Sequence, residues 1–179
     1  MFNTYPKFEQ ERAMRPTLKR LLIGLSILAL TACGSTGPRH KIPYQKPPIN
    51  VTVGAGPNRA IAIEALKYRG TPYYFGGSSP SEGFDCSGLV QYSTKRAINL
   101  NLPRTSAQQS QFGQEVDFDE LAAGDVVFFN TSSQPNSHSG IYLGDNYFVH
   151  APSSGGVVRV DSLGNPYWQP RINVIRRVK

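Results

Sequence analysis

The chain has 179 residues, 39% hydrophobic and 11% aromatic, enough for one substantial core and too few for two. Its formal charge of +7 would suggest an anionic partner such as nucleic acid if the basic residues lay in the folding part. From Asn58 onward, however, eleven Lys/Arg face ten Asp/Glu, so no nucleic acid is expected, and two cysteines exclude a disulfide scaffold.

Residues 1–32 read as an export signal. Lys19 and Arg20 precede an apolar run, Leu21 to Leu30, which then meets small residues and a cysteine. Ten residues cannot span a bilayer as a lasting helix. Met14-Arg15-Pro16 also forms a compact basic start, so translation from Met14 is an alternative to Met1. Leu30-Thr31-Ala32-Cys33 resembles the bacterial lipobox, which implies cleavage before Cys33 and lipidation of that residue. Several acyl chains on one residue anchor a protein stably where one does not. Gly34, rather than Asp, after the cysteine resembles the sorting pattern for the outer membrane, with the protein facing the periplasm. Residues 33–57, rich in Pro and Gly and without periodicity, read as an extended tether.

The folding domain is expected over 58–179. Asn58 is placed to cap a first helix carrying Ile61, Ala62, Ala65 and Leu66, with Gly70 as its stop. A turn-rich segment follows from Thr71 to Gly77. Asp85 can cap a second helix that starts at Cys86 and faces Leu89, Val90, Ser93 and Ala97 inward. A short third helix follows Thr105. After Gly124 the pattern becomes β, with strands expected at 125–130, 140–144, 147–150, 157–160 and 172–178 and a hairpin turn at Gly144-Asp145-Asn146. Helices followed by antiparallel strands give an α+β fold with about five strands.

Cys86 at a helix start is suited to thiolate chemistry, because the backbone N–H groups and helix dipole there lower a thiol's pKa. A cysteine nucleophile needs a base that returns its proton, and histidine has the matching pKa. His138 opens a strand and His150 closes the next, so the hairpin between them can bring the rings together and let one orient the other. The alternative is a packed cysteine with two unrelated histidines.

Six runs carry a resemblance to a known family: Gly70-Thr71-Pro72-Tyr73 with Gly76-Gly77; Phe84-Asp85-Cys86-Ser87-Gly88-Leu89-Val90; Leu102-Pro103-Arg104-Thr105-Ser106; Gly124-Asp125-Val126-Val127-Phe128-Phe129; His138-Ser139-Gly140-Ile141-Tyr142; and Phe148-Val149-His150-Ala151. In this order they resemble the NlpC-type cell-wall cysteine peptidases, which have a papain-like core. The resemblance implies Cys86 as nucleophile, His138 as general base and acid, and His150 as the residue that orients His138. It matches Tyr73 to a tyrosine beside the nucleophile, and Asp85 and Ser87 to positions lining a pocket for a peptide stem. Asp85 as a mere helix cap and Tyr73 as a turn-packing aromatic remain alternatives. Ser139 departs from the family's usual apolar residue. Arg104 is read as a loop staple rather than a carboxylate clamp, and Trp168 as core or cleft rim.

The activity so implied is hydrolysis of an amide in the peptidoglycan stem or cross-link by a monomeric, lipid-anchored enzyme of the cell envelope, needing no cofactor or metal. The alternatives are a catalytically idle murein-binding lipoprotein and a papain-like amidase or acyltransferase acting on another substrate.

Overall fold

A computed structural model describes residues 41–179 except Gly155. The signal run, Met14 and the lipidation candidate Cys33 lie outside the described residues. Among the described residues no helix is long and apolar enough to cross a membrane.

The fold is α+β. Helix α1 (Arg59–Leu66) is followed by a small hairpin, β1 (Ser78–Ser79) and β2 (Gly83–Phe84), then α2 (Cys86–Ile98) and the single turn α3 (Ser106–Gln109). The main sheet contains β3 (Gln114–Glu115), β4 (Val126–Phe129), β5 (His138–Gly144), β6 (Tyr147–His150), β7 (Arg159–Ser162) and β8 (Ile172–Arg177). Its order is β3-β8-β4-β5-β6-β7, antiparallel throughout. Four of these strands, β4, β5, β6 and β8, fall on expected ones, while β7 lies two residues beyond the expected 157–160 and so takes in Asp161 and Ser162. The sixth is β3, a two-residue exposed edge too short and polar to show periodicity.

Several local expectations hold with their chemistry. Asp85 caps α2 and Thr105 caps α3 through side-chain oxygens. Gly144, Asp145 and Asn146 all have positive φ in the β5–β6 turn. Asn58 differs: its side chain makes no cap bond, and α1 ends at Leu66, before Gly70. Asn58 is instead buried, with its carbonyl where a side chain on Gly124 would collide, 1.9 Å from the position of a Cβ. Gly124 has φ +95° and fits only as glycine there.

The two faces of the sheet bury different company. Val126, Phe128, Ile141, Leu143, Val149 and Val160 pack against α1 and α2, with Ile61, Leu89 and Val90 at 0% exposure. On the opposite face Val127, Phe129, Tyr142 and Phe148 pack with Leu163, Trp168 and Ile42. Ile42 comes from the segment expected to be a tether. Residues 41–57 do lack helix and strand, but they lie along the domain as a strap. Gln45 Oε1 accepts from Tyr147 Oη at 3.3 Å, the Ile49 carbonyl accepts from Arg69 at 3.1 Å, and Gly54 N donates to the Leu143 carbonyl at 2.7 Å.

Candidate active site

Cys86 is held by its helix start. Asp85 is extended, and its Oδ1 accepts from Gly88 N at 2.7 Å, satisfying one of the free N–H groups of the first turn. Gly88 lets the preceding loop lie directly on this turn, since a Cβ there would sit 2.0 Å from the Gly77 carbonyl oxygen. Arg104 locks the arrangement: it donates to Asp85 Oδ2 at 2.7 Å, to Asp85 Oδ1 at 3.0 Å and to Ser87 Oγ at 2.9 Å. Such a bidentate arginine–carboxylate pair fixes geometry as well as charge. Arg104 is thus a staple, and Asp85 and Ser87 are bound to it, to each other and to the backbone.

Cys86 is partly exposed and forms no disulfide. Burial pushes its thiol up, and the Asp85 charge adds to that; the Ser139 N–H, the Ser139 hydroxyl and the Ser87 N–H oppose it. The expectation of a lowered thiol is therefore not met in the resting site, because removing the sulfur from water outweighs the helix-start amides. Ser139 is fully buried, and its hydroxyl finds no hydrogen-bonding nitrogen or oxygen. It lies beside the sulfur instead. Tyr73 is close enough for the charges of Cys86 and Asp85 to be felt; burial first, then those charges, raise its phenol, so it stays protonated and able to donate.

The histidines are set by strand pairing. His138 lies opposite Phe129, and His150 lies opposite Arg159 on β7. The two rings meet on the face that holds Trp168: His138 Nε2 and His150 Nδ1 are 2.8 Å apart. Gly140 makes room for this, as a Cβ there would be 2.5 Å from the Phe148 ring and 3.2 Å from His150 Cβ. Trp168 stacks on His138 with centroids 5.1 Å apart and meets His150 edge-on at 4.9 Å. Burial, then the neighbouring His150, lowers His138 well below an ordinary histidine; burial also lowers His150, against its bond to Asp161.

Asp161 completes the row. Its Oδ2 is 3.0 Å from His150 Nε2 and accepts from Trp168 Nε1 at 3.0 Å and from Arg159 Nε and Nη2 at 3.2 Å. Sequence reasoning missed this residue. Its only sequence signal is alternation with Arg159 in a strand, which places both on one face, and that acquires meaning only once β7 is paired with β6. Among the described residues no group of three or more His, Cys, Asp or Glu is disposed to hold a metal ion.

With this geometry in view, residues 70–177 match the model of the NlpC/P60 family. The chain belongs to the NlpC/P60 family. It is 40% identical to the probable endopeptidase NlpC of Escherichia coli over 160 residues, covering 88% of this chain and 97% of that protein. It is 48% identical to the gamma-DL-glutamyl hydrolase of Bacillus subtilis over 118 residues, 65% of this chain but only 28% of that longer protein. The crystal structure of the NlpC/p60 domain of the peptidoglycan hydrolase SagA superposes with a TM-score of 0.59 at 32% identity, covering 68% of this chain and 99% of that domain. The α+β architecture and the six sequence runs thus belong to one NlpC/P60 domain, preceded by the strap.

Proposed function

We propose that this NlpC/P60 protein is a peptidoglycan endopeptidase that cleaves an amide of the stem peptide or cross-link through a cysteine nucleophile. The observation that carries the reading is the placement of Cys86. Its sulfur sits at a capped helix start against Ser139 N–H, the residue next to His138, while His150 engages His138 Nε2, so that Nδ1 is the nitrogen of His138 proposed to take the thiol proton. The names of the relatives, an endopeptidase and a peptidoglycan hydrolase, supply the substrate class.

In this mechanism the resting pair is neutral, since burial raises the thiol and lowers His138. As Cys86 Sγ attacks the carbonyl carbon, its proton passes to His138 Nδ1. The oxyanion is met by the Tyr73 hydroxyl and backbone N–H at the start of α2. His138 then gives the proton to the departing amine as the C–N bond breaks, leaving a thioester. Water, deprotonated by the same ring, releases the carboxylate and restores the thiol. The Asp85–Ser87–Arg104 cluster forms a rigid polar wall beside the sulfur, to which a peptide stem can present its charged ends.

Digestion of purified peptidoglycan, with products identified by mass spectrometry, tests the reading. The Cys86→Ala chain should lose at least about 1,000-fold of the wild-type rate; equal activity in both would reject the mechanism, and inactivity of both would leave a murein-binding role. The chain is further proposed to be a monomer anchored in the outer membrane by lipid on Cys33, and Cys33→Ser should then move it from the membrane to the soluble fraction. Retention of that variant in the membrane would overturn the anchor.

A further inference from the structure

The histidine row contains more chemical information than its two rings. Asp161 Oδ2 is the shared acceptor for Trp168 Nε1 and Arg159, neither of which can accept a hydrogen bond. Burial alone would raise the Asp161 carboxyl, but the bond from His150 and the Arg159 charge hold it below the usual aspartate range, so it is ionised at neutral pH. A carboxylate only accepts, which means that His150 Nε2, 3.0 Å away, carries a hydrogen. A neutral His150 protonated at Nε2 has its lone pair at Nδ1. That nitrogen lies 2.8 Å from His138 Nε2, and the contact is favourable only with the hydrogen on His138 Nε2.

We infer that Asp161 is a positioning residue for the reaction: acting through His150, it fixes both imidazoles as Nε2–H tautomers and so leaves the lone pair of His138 on Nδ1, the nitrogen that must take the Cys86 proton. This rests on the assignment of Cys86 and His138 made above. One proton leaves Sγ and arrives at Nδ1, while the Nε2 hydrogens of His138 and His150 stay where they are. The positive charge on His138 is then compensated along the row by the Asp161 carboxylate. Asp161 touches neither the sulfur nor the substrate.

Nitrogen-15 NMR of histidine in the full chain tests the tautomers without any substrate. Both His138 and His150 should show a protonated Nε2 and an unprotonated Nδ1 at pH 7. In Asp161→Ala the pattern should become mixed, and alkylation of Cys86 by iodoacetamide and kcat on peptidoglycan should fall by about 100-fold with KM unchanged. Asp161→Asn separates orientation from charge. Trp168 Nε1 and Arg159 require an oxygen at that corner, so the amide should present its carbonyl there, preserve the tautomers and recover most of the lost rate. The acid limb of its kcat/KM profile should nonetheless move to lower pH. The charged groups acting on His138 are His150, Asp161 and Arg159, and the substitution removes the one that favours its protonated form.

A wild-type His138 protonated at Nδ1 would overturn the inference. So would unchanged tautomers and alkylation rate in Asp161→Ala, or an Asn variant that keeps the tautomers but is as slow as the Ala variant. A wild-type chain that leaves peptidoglycan intact while showing both Nε2–H tautomers would reject the hydrolase reading and support the role of Asp161.

Discussion

Around Cys86 much of the architecture is local: Asp85 reaches Gly88 three residues on and Ser87 two residues on, while Arg104, the Gly77 loop and Ser139 come from further away. Around His138 nothing is local. His150, Asp161 and Trp168 reach it from the next strand, the strand beyond that and the loop leading to β8. The helix side therefore depends on backbone contacts that admit no added atom. The sheet side depends on registers, and on side chains packed against one another rather than against backbone.

Two glycines sharpen that difference most strongly. In Gly88→Ala the new methyl would overlap a carbonyl oxygen, and a backbone atom cannot swing aside. The cost should be at least about 3 kcal/mol, at or beyond the upper end for overpacking, measured as a fall in urea midpoint. In Gly140→Ala the methyl meets the edge of the Phe148 ring and His150 Cβ. That variant should lose about 1–3 kcal/mol and, because His150 is displaced, a larger fraction of its activity than of its stability. Equal destabilisation by the two changes would break the contrast.

The two sides should also fail at opposite ends of the pH scale. His138 and His150 are lowered on folding, so below about pH 6.5 the unfolded chain binds more protons than the folded one. Stability should therefore decline as pH falls, by up to about 1.4 kcal/mol per unit for each histidine. Cys86 is raised, so above about pH 8.5 the unfolded chain has released a proton that the folded chain retains. Its contribution is present below that pH and is lost as pH rises, again by up to about 1.4 kcal/mol per unit. Urea titrations at pH 5.5, 7 and 9 should show both slopes, and the alkaline slope should shrink in Cys86→Ala. A Cys86→Ala chain with the full alkaline slope would assign that slope to other groups.

The same division governs what could be read in advance. The Asp85 cap, the start of α2 at Cys86, the Thr105 cap and the Gly144 turn depend on neighbours within a few positions, and the residue types announce them. The pairing of His138 with His150 was also legible, because a short hairpin fixes which strand ends approach each other. Asp161 was not. A single acid near a strand end is usually solvated, and only the β6–β7 register, Phe148 against Asp161 and His150 against Arg159, turns it toward the rings. Trp168 reaches the site from the segment leading to β8, and no spacing rule links that segment to His138. Asn58 shows the reverse case, in which a good capping residue is buried beside Gly124 and its side chain makes no cap bond.

The strap has a mechanical consequence. If the whole Pro/Gly-rich stretch from Cys33 to Pro57 were free chain, it would allow a reach of roughly 80 Å at about 3.5 Å per residue. Ile42 is only 6% exposed, seated among Leu163, Trp168 and Phe148, so the described part of that stretch, from Lys41 on, lies along the domain and adds little to the reach. With lipid on Cys33 as proposed, one buried isoleucine shortens the distance over which the domain can range from its anchor.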